Sequence, residues 1–158
     1  EMENELADLA LLAWRDDGLW RINELDLNAT SDIGLALDAL RAKQVNGGCL
    51  ALLAIDDSFF IIIRQIGMKM QMVLSDVMAA LDYEIAAEVL ELLDIELPAE
   101  DDADEPAGDL NLLEDLGIDA MELQAICDDD EMFPDEQLEA IARRIGCGDE
   151  FLEVLERE

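Results

Sequence analysis

Hydrophobic and polar positions change period several times along the chain, and each change marks an element. Leu6 to Trp14 and Leu19 to Leu27 are apolar-rich runs on either side of Asp16-Asp17-Gly18. Asp-Gly is a strong two-residue hairpin signal because Gly accepts positive φ. That register sets Trp14 opposite Arg21 and Arg15 opposite Trp20, which suits cross-strand packing and a cation–π contact. Ser31 or Thr30 can cap a helix to about Lys43, with Ile33, Leu37 and Leu40 on one face. Asn46-Gly47-Gly48 breaks the chain. Strands are predicted at Cys49 to Ile55, Ser58 to Arg64 and Met68 to Leu74, with turns at Asp56-Asp57 and Ile66-Gly67. Ser75 can cap a helix from Asp76 to about Leu93, with Met78, Leu81, Ile85, Val89 and Leu92 on its apolar face.

The strands around Leu50–Ile55 and Phe59–Ile63 do not alternate with polar residues. They are apolar on both faces, whereas a sheet with one wet face alternates. Leaving Phe60 and Ile62 in water would forgo about 1.5–3 kcal/mol each. The two helices can cover one face. The other needs the C-terminal helices, a second copy of the chain, or a partner.

Beyond the strands the pattern is of short helices. Asp109 caps Leu110 to Leu116, and Gly117 stops it. Asp119 to Glu122 has capping-box spacing and opens a helix through Ile126. Phe133-Pro134-Asp135-Glu136 opens another, with Pro at the first helical position and acids in the first turn, and Gly146 ends it. Asp149 starts a last helix to about Leu155.

Charge divides the chain. Residues 1–75 hold 12 acids against 6 bases, and residues 76–158 hold 29 against 3. Between Glu96 and Asp109 there are seven acids, no base, Pro98 and Pro106, the composition of an exposed linker. The expected architecture is therefore α+β: a ββαβββα domain (1–95) with a mainly antiparallel five-stranded sheet, an acidic linker (96–108), and a small all-helical subdomain (109–158). About 50 residues make little core alone, so the subdomain docks on the sheet or on a partner.

The full sequence has 158 residues and a formal net charge of −32 with no His. Direct nucleic-acid binding is disfavoured, because it needs clustered Lys and Arg. Anionic membranes are disfavoured for the same reason, and no apolar run approaches the ~20 residues of a membrane helix. No basic segment leads into an apolar run at the start, so the expected compartment is the cytoplasm. Cys49, Cys127 and Cys147 are odd in number and lack CxxC spacing, so they read as reduced packing thiols.

Five stretches in order then carry a likeness: Leu-Leu-Ala-Trp-Arg-Asp-Asp-Gly-Leu-Trp (11–20), Ala-Leu-Leu-Ala-Ile-Asp-Asp-Ser-Phe-Phe (51–60), Leu-Ser-Asp-Val-Met-Ala-Ala-Leu-Asp (74–82), Gly-Asp-Leu-Asn-Leu-Leu-Glu-Asp-Leu-Gly (108–117) and Phe-Pro-Asp-Glu-Gln-Leu (133–138). Together they resemble the actinobacterial tRNA adenosine deaminase-associated protein family. The resemblance implies a link to the enzyme that makes inosine in tRNA, through a gene-neighbourhood label. It brings no catalytic residues with it.

The chain is not itself a zinc deaminase: that chemistry needs His or Cys ligands and a Pro-Cys-x-x-Cys segment, and neither His nor that segment is present. A Ser-His-Asp or Cys-His site is excluded within one chain. Asp128 to Glu131 fails as a calcium loop, because Met132 and Phe133 fall at the fifth and sixth positions. Paired carboxylates carry no information among 41 acids. No catalytic, metal or cofactor residues are assigned and no cofactor is implied. The partner-binding candidates are Trp14, Trp20, Phe60, Ile62 and Met70. Against them stand hairpin packing for the tryptophans, and a core stripe for Met68, Met70 and Met72. The leading function is a non-catalytic acidic protein-interaction module, an accessory factor of tRNA adenosine deamination with that deaminase as candidate partner. The alternatives are an acidic nucleic-acid mimic and a carboxylate/divalent-metal enzyme. A homodimer stays open.

Overall fold

The computed structural model describes residues 8–43 and 48–156. The predicted strand start at Leu6 and the break at Asn46-Gly47 lie outside these residues. The elements in order are β1 (Leu9–Asp16), β2 (Leu19–Glu24), α1 (Ile33–Ala42), β3 (Cys49–Ile55), β4 (Phe59–Ile66), β5 (Lys69–Leu74), α2 (Glu84–Leu93), β6 (Ala107–Gly108), α3 (Ala120–Cys127), α4 (Pro134–Ile145) and α5 (Gly148–Glu156). The α+β class stands as expected. The sheet has six strands rather than five, in the order β2-β1-β3-β4-β5-β6, and every pair is antiparallel.

The extra strand comes from the stretch read as linker. Ala107 and Gly108 pair with Leu74 and Val73. Two-residue strands have almost no sequence signature, and acids and prolines around this one hide it. Gly108 is required: at φ +113 a Cβ would lie 2.1 Å from the Met72 carbonyl oxygen.

Short left-handed turns set the register of the hairpins. Asp17 (φ 55) and Gly18 (φ 80) close β1 onto β2, with Trp14 opposite Arg21 and Arg15 opposite Trp20 as the pattern predicts. Asp56 and Asp57 also take positive φ, and the Ser58 N–H donates to the Ile55 oxygen at 2.9 Å. Gly67-Met68 is the third tight loop, which puts Met68 at its tip, 99% exposed.

The doubly apolar strands serve two cores. On one face Leu12, Leu53, Ile61 and Ile63 meet Ile33, Leu37 and Leu40 of α1 and Ile85, Val89 and Leu90 of α2. On the other Leu11, Leu52, Phe60 and Ile62 meet Leu113, Ile118, Leu138, Ile141, Ile145 and Phe151 from the C-terminal part. The second face is thus covered by the chain's own helices. Such a three-layer arrangement gives a modest chain two full interfaces for burial.

Several caps differ from the pattern. Asp32, not Ser31, caps α1 by accepting from the Gly34 N–H. The predicted helix 76–93 is split: a 3₁₀ turn, Val77–Leu81, is capped by Asp76, and α2 begins only at Glu84. Tyr83 between them is extended, with its ring 5.0 Å from that of Phe59. Leu81, at the end of the 3₁₀ turn, and Leu92, in the last turn of α2, are exposed, although a continuous helix places both on the buried face. Ser75 is buried and accepts from the Phe60 N–H at 2.9 Å, extending the β4–β5 pairing instead of starting a helix. The segment after Asp109 is turns and a 3₁₀ turn, Glu114–Leu116, ended by Gly117 at φ 116. The Asp109 N–H donates to the Met72 oxygen, so Asp109 prolongs the sheet edge rather than capping a helix.

Candidate interaction surface

The five partner-binding candidates do not form one patch. Trp14 is buried in the core under α1, with Lys43 Nζ 3.9 Å above its ring. Met70 is half-buried at the margin of the same core. Phe60 and Ile62 have no exposed surface and lie in the opposite core, beneath the C-terminal helices. Trp20 is half-buried on that side. Arg15 stacks 5.0 Å from its ring, and the indole Nε1 donates to the Ile145 oxygen at 3.1 Å. The tryptophans thus pack within the chain. Met72 is core, Met70 marginal and Met68 a loop tip, so the methionine stripe grades from inside to outside.

The three thiols are held in unreactive settings. Burial pushes the Cys127 and Cys147 thiols up to about 12, and raises Cys49 as well. A thiol that stays protonated is a poor nucleophile. Burial raises the Asp76 carboxyl, against the bond it accepts from the Met78 N–H. Burial likewise raises Asp135, in the first turn of α4. No group of three or more Cys, Asp or Glu among the described residues could hold a metal ion.

One charged residue is buried among the apolar positions of β4. Arg64 follows Phe60 and Ile62 on the same face of the strand, and is 4% exposed. Its guanidinium donates to the Leu112 oxygen at 2.8 Å and to both carboxylate oxygens of Asp115. The hydrogen bond and the charge of Arg64 hold the Asp115 carboxyl below the usual carboxylate range, against desolvation. Sequence reasoning missed this pair, although its signal is present: a base in step with two apolar inward residues needs a partner.

The surface feature of most consequence lies along α2. Glu84, Glu88 and Glu91 follow at spacings of four and three, which puts them on one helix face. Asp94 then takes the left-handed conformation (φ 63), and the Ile95 N–H donates to the Leu90 oxygen at 2.9 Å. This Schellman-type ending turns the chain away from the helix axis. An open groove of about 550 Å³ results, lined by Glu84, Ala87, Glu88, Leu90, Glu91, Asp94, Ile95, Glu96 and Leu97. Five of these are carboxylates and none is basic. Ile95 (38%) and Leu97 (60%) remain exposed beside them. The groove leaves no mark in the hydrophobic pattern, because it depends on where the chain goes after Asp94.

Fold and surface together define an acidic α+β protein whose single sheet is covered on both faces by its own helices and whose outer helix carries a carboxylate-rimmed groove. The chain belongs to the Rv3753c-like tRNA adenosine deaminase-associated protein family, which matches residues 8–148. Protein Rv3753c of Mycobacterium tuberculosis (strain ATCC 25618 / H37Rv) is 41% identical over 146 residues, covering 90% of this chain and 84% of that protein. No solved structure matches the chain. The family is named for association with a deaminase rather than as a deaminase. No helix among the described residues is long and apolar enough to cross a membrane.

Proposed function

We propose that this protein is a non-catalytic accessory factor that binds the tRNA adenosine deaminase in the cytoplasm. The observation that carries the reading is the net charge of −32 on a member of a deaminase-associated family. An enzyme that handles tRNA needs a basic surface, and a strongly acidic partner is steered to such a surface and complements it. Carboxylates lie both on α2 and on α5, which cover opposite faces of the sheet. That distribution favours a protein-binding body over a decoy with phosphate-like charges along one edge.

The test is direct. The purified chain and the purified deaminase are mixed and resolved by size exclusion, at low and at high sodium chloride. A complex at low salt that dissociates as salt rises is expected. Two separate peaks at low salt would overturn the reading.

A further inference from the structure

We propose that the groove beside α2 docks a basic, amphipathic helical segment of the partner protein. The inference rests on the accessory role above and assigns it a place on the molecule. The groove combines two features that a single kind of occupant satisfies. Its rim presents Glu84, Glu88 and Glu91 along one face of α2, with Asp94 beyond the helix end, and no base among the described residues lines it. Ala87 and Leu90 line it as well, and Ile95 and Leu97 are left exposed to water.

Along a helix the three glutamates span about 10 Å, at ~1.5 Å rise per residue. A facing helix with Lys or Arg at matching spacings of three and four places its charges against them. Its apolar residues on the adjacent stripe then cover Ile95 and Leu97, the helix-in-groove mode of peptide recognition. The charge sets orientation and encounter rate, and the apolar contact supplies the area removed from water.

Other occupants are disfavoured by the same charges. The N-terminal seven residues, Glu-Met-Glu-Asn-Glu-Leu-Ala, carry three Glu and no base. A second copy brings a net charge of −32. Among its bases, Arg143 and Arg144 are bound to Glu139 and Glu122, and Arg15 and Lys43 lie on tryptophan rings. A partner with an exposed run of Lys or Arg is therefore the occupant the groove fits.

The experiment uses the full chain with two probes: the tRNA adenosine deaminase, and a synthetic peptide of Lys and Leu in amphipathic helical order, with its scrambled form as control. Variants are Glu88→Lys/Glu91→Lys and Leu97→Asp, both at exposed positions. Glu153→Lys/Glu156→Lys on α5 makes the same change in net charge as the double glutamate variant, on the opposite side of the sheet. Circular dichroism and thermal melting confirm that each variant is folded. If the groove is the site, both groove variants weaken deaminase binding at least tenfold and the α5 variant changes it less than threefold. Equal loss in the α5 variant, or none in the groove variants, overturns the groove while leaving the accessory role standing. If the deaminase does not bind but the ordered peptide does, with the same dependence on Glu88, Glu91 and Leu97 and weaker binding of the scramble, the accessory role fails and the groove stands. If neither probe binds, both fall.

Discussion

Arg64 and Asp115 tie the two layers of the second core together: Arg64 Nη2 lies 3.1 Å from Asp115 Oδ2 across 51 residues of sequence. Arg64 is on β4 and nearly fully buried, while the Asp115 side chain is 66% exposed. The arginine also donates to the Leu112 oxygen, so one side chain fixes both ends of the turn that leads into the helical layer. This contact depends on pH in a defined sense. The Asp115 carboxyl titrates below its ordinary value when folded, so its contribution is present above the unfolded pKa and is lost as pH falls through the folded one. Wild type should lose thermal stability below about pH 4 more steeply than Asp115→Asn. At neutral pH the substitution should cost about 1–2 kcal/mol, less than for a fully buried pair because water reaches the carboxylate side. Parallel acid-denaturation profiles for the two proteins would contradict this.

The short edge strand gives a second prediction. Gly108 has φ +113, and an alanine Cβ at that position would lie 2.1 Å from the Met72 oxygen. Gly108→Ala must therefore move the backbone off β5, on top of an unfavourable φ. We expect a loss of at least about 1–3 kcal/mol in urea unfolding. Hydrogen exchange should also quicken in β5 and at the Val77 N–H, which donates to the Glu105 oxygen in the same stretch. Unchanged stability and exchange would mean that the β5–β6 pairing is not formed in solution.

The thiols give a third. With Cys127 and Cys147 pushed up to about 12, very little of their thiolate exists at pH 8, and burial holds the Cys49 thiol up as well. For a pKa near 12 the fraction is about one in ten thousand. A disulfide-exchange reagent such as Ellman's should label Cys127 and Cys147 in the folded chain at least about a hundredfold more slowly than in denaturant, and Cys49 more slowly as well. Rapid labelling of one thiol in the folded state would identify a local opening or a reactive cysteine.

Most of the sheet was legible because its signals are local. Asp17-Gly18 marks the first hairpin and, with it, the Arg15–Trp20 stacking. Apolar residues on both faces of β3 and β4 required two covering layers, and the cores contain both. What the pattern missed depends on contacts distant in sequence. Nothing near Ala107 announces a strand, since its partner is β5. Ser75 has the local look of a cap, yet its hydroxyl is taken by the Phe60 N–H from the neighbouring strand. A continuous apolar period over 76–93 conceals the break that Tyr83 makes by packing on Phe59. The same limit applies to the candidate site. Large apolar side chains such as Phe60 and Ile62 are the ones the helices cover, while the α2 groove is formed by a chain reversal at Asp94 that composition does not encode.

The charge itself yields the last prediction. At −32 the folded chain holds its carboxylates closer together than the unfolded chain does, so mutual repulsion favours unfolding. Favourable pairs among the described residues are few, such as Arg143–Glu139 within α4 and Arg144–Glu122 between α4 and α3. Each contributes little at the surface, about 0–1 kcal/mol. Added salt screens both kinds of interaction, shortening the Debye length from about 10 Å at 0.1 M to about 3 Å at 1 M. Repulsions outnumber attractions here, so screening should stabilise. If about 2–3 kcal/mol of repulsion is removed, Tm rises by about 5–10 °C for a chain of this size. Sodium chloride is the appropriate salt, because sulfate would add an effect on apolar burial. A Tm that falls with sodium chloride would show that the few ion pairs outweigh the excess of like charge. Salt that raises Tm while dissociating the deaminase complex would separate the two roles of the acidic surface: repulsion within the chain, and attraction toward a basic partner.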